Sequence, residues 1–386
     1  MRYRDFGQLG WKTSVLGFGA MRLPVSDGVD SRIDEPEAIR MIRHAIDHGV
    51  NYVDTAYVYH RGNSEAVVGK ALQDGYRQRV KVATKLPVFL VKAAADAERF
   101  LSEQEERLGV GTIDLYLLHS LNTKTWQKVK EFGLIEFVAK ARAEGRIAHV
   151  GFSFHDDLAL FKEIVDAANL WDFCQIQYNY MDVAHQAGTE GLRYAAAKGL
   201  PVVVMEPLLG GSLANPVPPG PVAKLWAQGP EKRTPADWAL QWLWDQPEVT
   251  VVLSGMSAME QVMENLASAS RAAAGSLTEA ERELIAAVRT EYRKLIPVTC
   301  TGCGYCVPCP SELLIPNRIE QYNQAVAYNR LDYHRWLYQT AVQKKADLCT
   351  TCGECEAKCP QGLPIRKILA EVHAVLGQNK QPSYSA

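Results

Sequence analysis

The sequence lacks net charge, long basic runs and long apolar runs. It carries 42 Lys and Arg against 44 Asp and Glu in 386 residues, a formal charge of -2. This balance gives no electrostatic reason to expect a nucleic acid or an anionic membrane as a partner. No window approaches the roughly 18 consecutive apolar residues of a membrane span. The first residues also lack the apolar stretch of a signal peptide, so we expect a cytoplasmic protein without a membrane partner.

Cysteine is nearly absent before residue 300. Cys174 stands alone, and the other eight cysteines form two short runs, 300–309 and 349–359. In a reducing compartment thiols stay free, and clustered thiols there usually bind metal rather than form disulfides. We therefore expect a metal-binding domain at the C-terminal end of the chain, and a Cys174 that is simply buried.

The sequence also lacks a dinucleotide-binding glycine motif. Between residues 13 and 268, short apolar or β-branched runs alternate with segments of helical periodicity. No G-x-G-x-x-G follows an early strand, which argues against an open doubly wound sheet. Eight strands over about 250 residues are instead typical of a (β/α)8 TIM barrel. The strands are predicted to end at Phe18, Asp54, Lys85, His119, Ser153, Gln177, Met205 and Ser254.

Helical periodicity is found both within this alternation and after it, and the composition changes near residue 295. We predict helices over 126–144, 279–294 and 319–344. Because cysteine motifs begin after Leu295, we assign residues 1–295 to the barrel and residues 296–386 to a second, smaller domain.

Polar side chains stand where three consecutive strands are predicted to end. Asp54 ends the second strand, Lys85 the third and His119 the fourth, and Tyr59 follows Asp54 by five residues. Consecutive strands are neighbours in a barrel, and active sites form at the carboxyl ends of the strands. The four side chains can therefore converge on one spot, although each taken singly has an ordinary packing or ion-pair interpretation.

These residues resemble the signature of the aldo/keto reductase superfamily. The segment 49–56 (Gly-Val-Asn-Tyr-Val-Asp-Thr-Ala), then Tyr59, then Ser64-Glu65 and Gly69, follows that signature, and Lys85 and His119 match later positions. The resemblance covers roughly residues 1 to 270. It implies a catalytic tetrad of Tyr59, Lys85, Asp54 and His119 for carbonyl or alcohol hydride transfer with NAD(P)H.

The tetrad makes chemical sense for such a reaction. A carbonyl that accepts hydride develops negative charge on oxygen, and a phenol with a pKa of about 10 donates its proton slowly unless a cation favours its ionised form. Lys85 would supply that cation and Asp54 would hold Lys85. A neutral His119 would orient the carbonyl oxygen.

The resemblance also marks positions that face the nucleotide. It implies nicotinamide contacts at Ser153, Gln175 and Met205, a pyrophosphate or ribose contact at Ser254, and an adenine contact at Asn265. The family often binds the 2'-phosphate of NADPH with a lysine and an arginine after the eighth strand, and this chain has neither there. A dianionic phosphate without a cation binds poorly. The choice between NADH and NADP(H) stays open, and NADH is credible.

The two cysteine runs have the spacing of iron-sulfur ligands. Cys349, Cys352, Cys355 and Cys359, followed by proline, match the bacterial ferredoxin motif, and Cys300, Cys303, Cys306 and Cys309 form a version one residue shorter. In such motifs the fourth cysteine ligates the other cluster. This rule predicts Cys300, Cys303, Cys306 and Cys359 on one [4Fe-4S] cluster, and Cys349, Cys352, Cys355 and Cys309 on the other. Two clusters are expected and one remains an alternative, while zinc is the rival metal.

The connection between the two runs, residues 310–348, is longer than in a compact ferredoxin. It resembles the α-helical ferredoxin arrangement, so the whole chain resembles aldo/keto reductases that carry a C-terminal ferredoxin-type domain. The clusters would exchange electrons with the barrel or with an external carrier. Nicotinamide moves two electrons and a cluster moves one, so direct exchange needs a splitter such as flavin, for which we find no motif.

Two other functions are compatible with the sequence. The barrel could carry clusters without turning over carbonyls, or the clusters could be purely structural. The substrate and the oligomeric state do not follow from the sequence.

Overall fold

The computed structural model describes residues 1–167 and 170–383. By their internal contacts these residues form two units. The first unit comprises Met1–Gly210 and Ala236–Thr278, and the second comprises Gly211–Pro235 and the chain from Glu279 onward. The first unit contains a closed barrel of parallel strands, and the second unit is helical.

A short hairpin precedes the barrel and was not predicted from the sequence. Its two antiparallel strands are β1 (Tyr3–Asp5) and β2 (Lys12–Ser14). Phe6 and Trp11 stack in the connection with ring centroids 4.6 Å apart, and Phe6 packs against Tyr52 and Phe173. Because Tyr52 and Phe173 begin two barrel strands, the hairpin closes the end of the barrel opposite the strands' carboxyl ends.

Eight parallel strands close the barrel in chain order, and the last pairs with the first. They are β3 (Leu16–Gly19), β4 (Tyr52–Asp54), β5 (Lys81–Leu86), β6 (Ile113–Leu121), β7 (Ile147–Phe154), β8 (Phe173–Gln177), β9 (Val202–Met205) and β10 (Val249–Gly255). Apolar side chains such as Leu115, Val203 and Val251 fill the interior, as is typical of this fold. The predicted (β/α)8 TIM barrel is confirmed, and every strand ends within two residues of its predicted end.

Helices surround the strands, and one predicted helix is in fact two. The helices of the first unit are α1 (Glu35–Asp47), α2 (Ser64–Ala71), α3 (Ala95–Leu108), α4 (Thr123–Glu131), α5 (Leu134–Ala143), α6 (Leu158–Ala167), α7 (Gly188–Ala197), α9 (Pro235–Trp244) and α10 (Met259–Ala269). In chain order α8 (Gly220–Trp226) comes between α7 and α9 and belongs to the second unit. The single helix predicted over 126–144 is wrong, because Gly133 takes a φ of 62° and separates α4 from α5.

The second unit contains α8 and the helices that follow the barrel. These are α11 (Glu279–Lys294), α12 (Ile315–Ala327), α13 (Leu331–Thr340), α14 (Glu354–Ala357) and α15 (Ile365–Val372). Ile319, Tyr322 and Ile368 lie in their common apolar core. The prediction of α11 is confirmed. The helix predicted over 319–344 is wrong as a single element, because Asn329 (φ 53°) separates α12 from α13.

Candidate active site and candidate metal centre

A buried ion pair lies where β4 and β5 end. The Nζ of Lys85 is 2.7 Å from Oδ1 of Asp54 and also donates to the backbone oxygen of Thr55 at 2.7 Å. Their side chains are 1% and 4% exposed, so the pair is almost completely removed from water. Burial disfavours the Lys85 ammonium, but the Asp54 carboxylate and Tyr59 outweigh burial and raise the pKa of Lys85. The site therefore holds a fixed positive charge.

The Tyr59 phenol lies beside this charge. Tyr59 begins the 3₁₀ turn after β4, and Lys85 Nζ donates to its Oη at 3.3 Å. The same Nζ lies 4.8 Å from the centroid of the Tyr59 ring. Burial raises the pKa of Tyr59, Lys85 opposes this shift, and Asp54 and Glu206 add to it. The phenol consequently keeps its proton at neutral pH and is available as an acid.

His119 completes the group from the end of β6. Its ring meets the Tyr59 ring edge-on at 6.0 Å and the Phe89 ring at 5.6 Å. Burial, followed by the charges of Lys85 and His155, lowers its pKa well below the usual value, so the imidazole is neutral. Among the described residues its Nδ1 has no hydrogen-bond partner. The structure thus brings together all four side chains that the sequence singled out: an acid, a cation, its counter-ion and a neutral imidazole.

A second buried polar network contacts the backbone of Lys85 and the side chain of the residue before it. Glu65 accepts from Thr84 Oγ1 at 2.6 Å and from Gln104 Nε2 at 2.8 Å, and Gln104 also donates to the backbone oxygen of Lys85. Arg107 donates to Glu65 at 3.3 Å. The sequence analysis missed Gln104. Its signal was a polar residue on the buried face of α3, between Leu101 and Leu108.

The residues expected to face a nicotinamide lie at the ends of adjacent strands. Ser153 is paired with Gln175 across β7 and β8, and Gln177 with Met205 across β8 and β9. Gln175 is 1% exposed, and its Oε1 lacks a hydrogen-bond partner in the described part of the chain. An orphaned amide oxygen at this depth suits a ligand with N–H donors, such as the carboxamide of nicotinamide. The residues present therefore fit this group.

The two residues expected near the pyrophosphate and adenine contact each other. Asn265 Nδ2 donates to Ser254 Oγ at 3.0 Å, and both side chains are buried. Gln261, at the position where the family often has arginine, accepts instead from the Ser257 backbone at 2.9 Å. Segment 254–265 contains no lysine or arginine. This segment therefore supplies no cation of its own for a 2'-phosphate.

The structure adds two charged residues at this end of the barrel that the sequence analysis missed. The aliphatic part of the Arg22 side chain packs against Gly255, the last residue of β10. A side chain at position 255 would place its Cβ 3.3 Å from the Cβ of Arg22. Glu206, at the end of β9, has a φ of 53° and accepts from the Gly210 backbone at 2.6 Å. Their only sequence signal is that each closely follows a barrel strand.

The eight clustered cysteines of the second unit surround two cavities. One cavity is lined by Cys300, Cys303, Cys306 and Cys359. The other is lined by Cys309, Cys349, Cys352 and Cys355, with Cys306 also at its edge. Cys306 is counted with the first cavity, because Cys300, Cys303 and Cys359, whose thiols add to burial in raising the pKa of Cys306, all line that cavity. Each cavity thus has four thiols, the donor set of a [4Fe-4S] cluster.

Apolar side chains complete both cavities, including Ile315 and Leu369 in one and Ile319 and Leu363 in the other. Within residues 1–167 and 170–383, no three His, Cys, Asp or Glu side chains meet closely enough to share a single ion. The thiols instead line the two cavities described above. Cys174 is fully buried in the barrel, as expected. None of the helices in the described chain has the length and apolar character needed to cross a membrane.

Comparisons with known proteins match each part of the chain. Residues 15–282 match the aldo/keto reductase family, and residues 299–364 match the 4Fe-4S dicluster domain. Residues 283–298 lie between the two matches. The predicted domain boundary between residues 295 and 296 falls in this stretch and stays a prediction.

Several relatives are similar over the barrel. The NADH-specific methylglyoxal reductase of Escherichia coli (strain K12) is 29% identical over 300 residues, which cover 66% of this chain and 89% of that protein. An uncharacterized oxidoreductase of Schizosaccharomyces pombe is 28% identical over 265 residues, 66% of this chain and 81% of that protein. The holo structure of aldo-keto reductase AKR11C1 from Bacillus halodurans has a TM-score of 0.62 and 29% identity, and the match covers 75% of this chain and 96% of that chain.

Proposed function

The chain belongs to the aldo/keto reductase family, and from this premise we propose that its barrel reduces a small carbonyl substrate with Tyr59, Lys85, Asp54 and His119. The enzyme is an oxidoreductase with a 4Fe-4S dicluster domain. The two family matches imply nicotinamide and iron-sulfur cofactors. The observation that carries the proposal is the position of one buried ammonium, 2.7 Å from Asp54 and 3.3 Å from the Tyr59 oxygen.

Each of the four side chains has a distinct role. A nicotinamide held by Ser153, Gln175 and Met205 would supply hydride for the carbonyl carbon. Tyr59 Oη gives its proton to the carbonyl oxygen, so that an alcohol forms, and takes a proton back from solvent. Lys85 stabilises the phenolate left behind, and Asp54 holds Lys85 in place. The neutral imidazole of His119 donates a hydrogen bond to the carbonyl oxygen as negative charge develops on it.

Nucleotide binding is assigned to residues at the ends of β7 to β10. Ser153 and Gln175 would hold the carboxamide, and Met205 would pack on the nicotinamide ring. Ser254 and Asn265 would contact the pyrophosphate or ribose and the adenine. The absence of a cation in segment 254–265 removes the usual counter-charge for a 2'-phosphate. We expect NADH to bind at least as tightly as NADPH, and the name of the Escherichia coli relative is in line with this.

Replacing Tyr59 by phenylalanine tests the catalytic proposal. Tyr59→Phe should lower kcat for carbonyl reduction by about 10²- to 10⁴-fold, because the proton donor is lost. The Kd for the nucleotide should stay nearly unchanged. Tyr57→Phe is the matched control, since Tyr57 lies in the same loop but donates to Glu103. An unchanged kcat in Tyr59→Phe would refute the assignment of the acid.

The cysteine unit is proposed to hold two [4Fe-4S] clusters that exchange electrons with the barrel or with an external carrier. The four thiols around each cavity support two clusters rather than one. An intermediate two-electron to one-electron carrier, such as a flavin, would be required for exchange with nicotinamide. Absorption spectra of the anaerobic protein before and after addition of NADH or NADPH test the exchange. Bleaching of the iron-sulfur band supports it, and an unchanged band leaves the clusters structural or served by a separate reductant.

A second function is favoured by one observation, the carboxylate of Glu206 at the end of β9. Its negative charge acts on Tyr59, and segment 254–265 has no lysine or arginine, so an anionic nucleotide would find less counter-charge there than in the usual family site. The protein would then be an electron-transfer protein on a barrel that does not reduce carbonyls. Isothermal titration of the cluster-loaded protein with NADH and NADPH discriminates, because absence of binding to either nucleotide would refute the reductase proposal.

A further inference from the structure

One strand of the barrel carries an extra residue beside the proposed acid. Leu118 pairs with Phe152 and Leu121 pairs with Phe154 across β6 and β7. Two residues of β6, His119 and Ser120, therefore stand opposite a single residue of β7. This is a β-bulge, a feature that re-aims a side chain next to a site.

The bulge is conformationally costly without support. Ser120 has a φ of 59°, in the left-handed region that a residue with a Cβ adopts only at an energetic cost. Its N–H also loses the strand carbonyl that it would bind in a regular ladder. A buried N–H without a partner is unfavourable, so another group must accept from it.

Ser153 is that acceptor. The Ser120 N–H donates to Ser153 Oγ at 2.7 Å, and Ser153 is 1% exposed. The other side of Ser120 is fixed as well, because its backbone oxygen accepts from Thr125 Oγ1 at 2.9 Å and from Asn122 Nδ2 at 3.3 Å. Regular pairing resumes where the His155 N–H donates to the Leu121 oxygen. Ser153 is therefore the only side chain on β7 that fixes the amide of the bulge.

We propose that Ser153 is a positioning residue that fixes the His119–Ser120 bulge and so aims the His119 ring at the carbonyl oxygen. This role is separate from its proposed nicotinamide contact, since the Oγ lone pair accepts from Ser120 while the hydroxyl proton stays available to a ligand. The inference rests on the proposed function for the carbonyl oxygen, and it goes beyond that function by describing how β7 shapes β6 before any ligand binds.

The test compares Ser153→Ala, Ser120→Gly and the double variant in the full-length protein. Glycine takes a positive φ without cost, so Ser120→Gly should preserve the bulge when Ser153 is absent. In Ser153→Ala, kcat for carbonyl reduction should fall about tenfold or more, because small misplacements of catalytic groups are costly. The double variant should recover most of this loss.

The second readout needs no nucleotide and no turnover. The His119 ¹H–¹⁵N side-chain resonances, assigned by their absence in His119→Asn, should shift in Ser153→Ala. The double variant should return them toward the wild-type values. Ser14→Ala is the control, because Ser14 is another buried strand serine whose Oγ accepts a backbone N–H, that of Asn51 at 3.1 Å. It should leave the His119 resonances unchanged.

The outcomes separate this proposal from the proposed function. If Ser153→Ala raises the Kd for the nucleotide while the His119 resonances stay unchanged and Ser120→Gly restores nothing, Ser153 serves only the ligand and the positioning role is overturned. If the wild-type protein neither binds nucleotide nor reduces carbonyls, the proposed function fails. The resonance shift would still report on the bulge.

Discussion

At the scale of single residues, the Asp54–Lys85 pair combines a structural role with a proposed catalytic one. Asp54→Asn would leave a buried ammonium without its counter-charge, which costs about 3–5 kcal/mol. We expect a lower Tm of the barrel, a lower pKa of Lys85 and a lower kcat, measured by circular dichroism and steady-state kinetics. Asp74→Asn is the control, because Asp74 pairs with Arg43 at the surface, where such a pair contributes at most about 1 kcal/mol. Equal losses of stability in the two variants would contradict the prediction.

We expect His334 to make the second unit sensitive to acid. Burial, followed by the charge of Arg330, lowers its pKa to about 4, and neither ring nitrogen finds a partner within residues 1–167 and 170–383. Because the folded-state pKa lies below the unfolded value of about 6.5, the unfolded chain binds more protons, and stability falls as the pH drops from 6.5 toward 4. This contribution is about 2 kcal/mol at pH 5.

Removing the imidazole should remove this pH dependence. Between pH 7.5 and 5, His334→Leu should lose about 2 kcal/mol less unfolding free energy than the wild type, measured by anaerobic urea unfolding. His48→Gln, at an exposed histidine, should follow the wild type. Identical pH profiles for His334→Leu and the wild type would show that His334 does not set the acid sensitivity.

The convergence of Tyr59, Lys85, Asp54 and His119 was predictable residue by residue, whereas the contacts that support them were not. Tyr59, Lys85 and His119 combine a local signature with positions at strand ends, and both are visible in a sequence. The partner of Ser153 depends on one extra residue in β6, and the position of Arg22 depends on the missing side chain of Gly255. Such contacts between distant segments leave no periodic signal.

At the scale of elements, α2 and α3 meet at a glycine. A Cβ on Gly69 would lie 2.4 Å from the backbone oxygen of Leu108, which cannot move without displacing the end of α3. Gly69→Ala should therefore lower the unfolding free energy by about 1–3 kcal/mol, despite the higher helix propensity of alanine. Thermal unfolding measures the loss. Gly220→Ala is the control, because Gly220 is also in a helix but has no atom within 4 Å of the added Cβ, and it should be neutral or stabilising. A Tm of Gly69→Ala at or above that of Gly220→Ala would contradict the packing argument.

Elements were predictable where their hydrophobic pattern is continuous. Barrel strands covered on both faces have nearly unbroken apolar runs, which is why all eight strands were found. Helix ends at single left-handed residues were missed, because Gly133 and Asn329 interrupt periodicity that continues on both sides. The hairpin of β1 and β2 was missed because each strand has only three residues.

At the scale of the whole molecule, the two proposed chemistries belong to separate units. The barrel has a site suited to moving a hydride and a proton together, and the helical unit has two thiol-lined cavities suited to moving single electrons. The motif spacing predicted both units. The ligand rule for such motifs also predicts the crossed division of the cysteines, and the thiols line the two cavities in that division. An uncrossed arrangement would use the same eight thiols.

Iron content can distinguish these arrangements. With two clusters, the wild type should contain about eight iron atoms per chain and Cys359→Ala about four. In the crossed arrangement Cys300 and Cys359 share a cluster, so the Cys300→Ala/Cys359→Ala double variant should also keep about four. Cys349 belongs to the other cluster, so Cys349→Ala/Cys359→Ala should keep almost none.

The opposite pattern, with iron lost from the Cys300 pair and retained in the Cys349 pair, would establish the uncrossed arrangement. Cys174→Ala is the control and should keep the full iron content, because Cys174 is buried in the barrel core. A wild type with about four iron atoms would mean one cluster. The first motif would then be the one to test for a defective ligand set, because its step from Cys306 to Cys309 is one residue shorter than the matching step of the second motif.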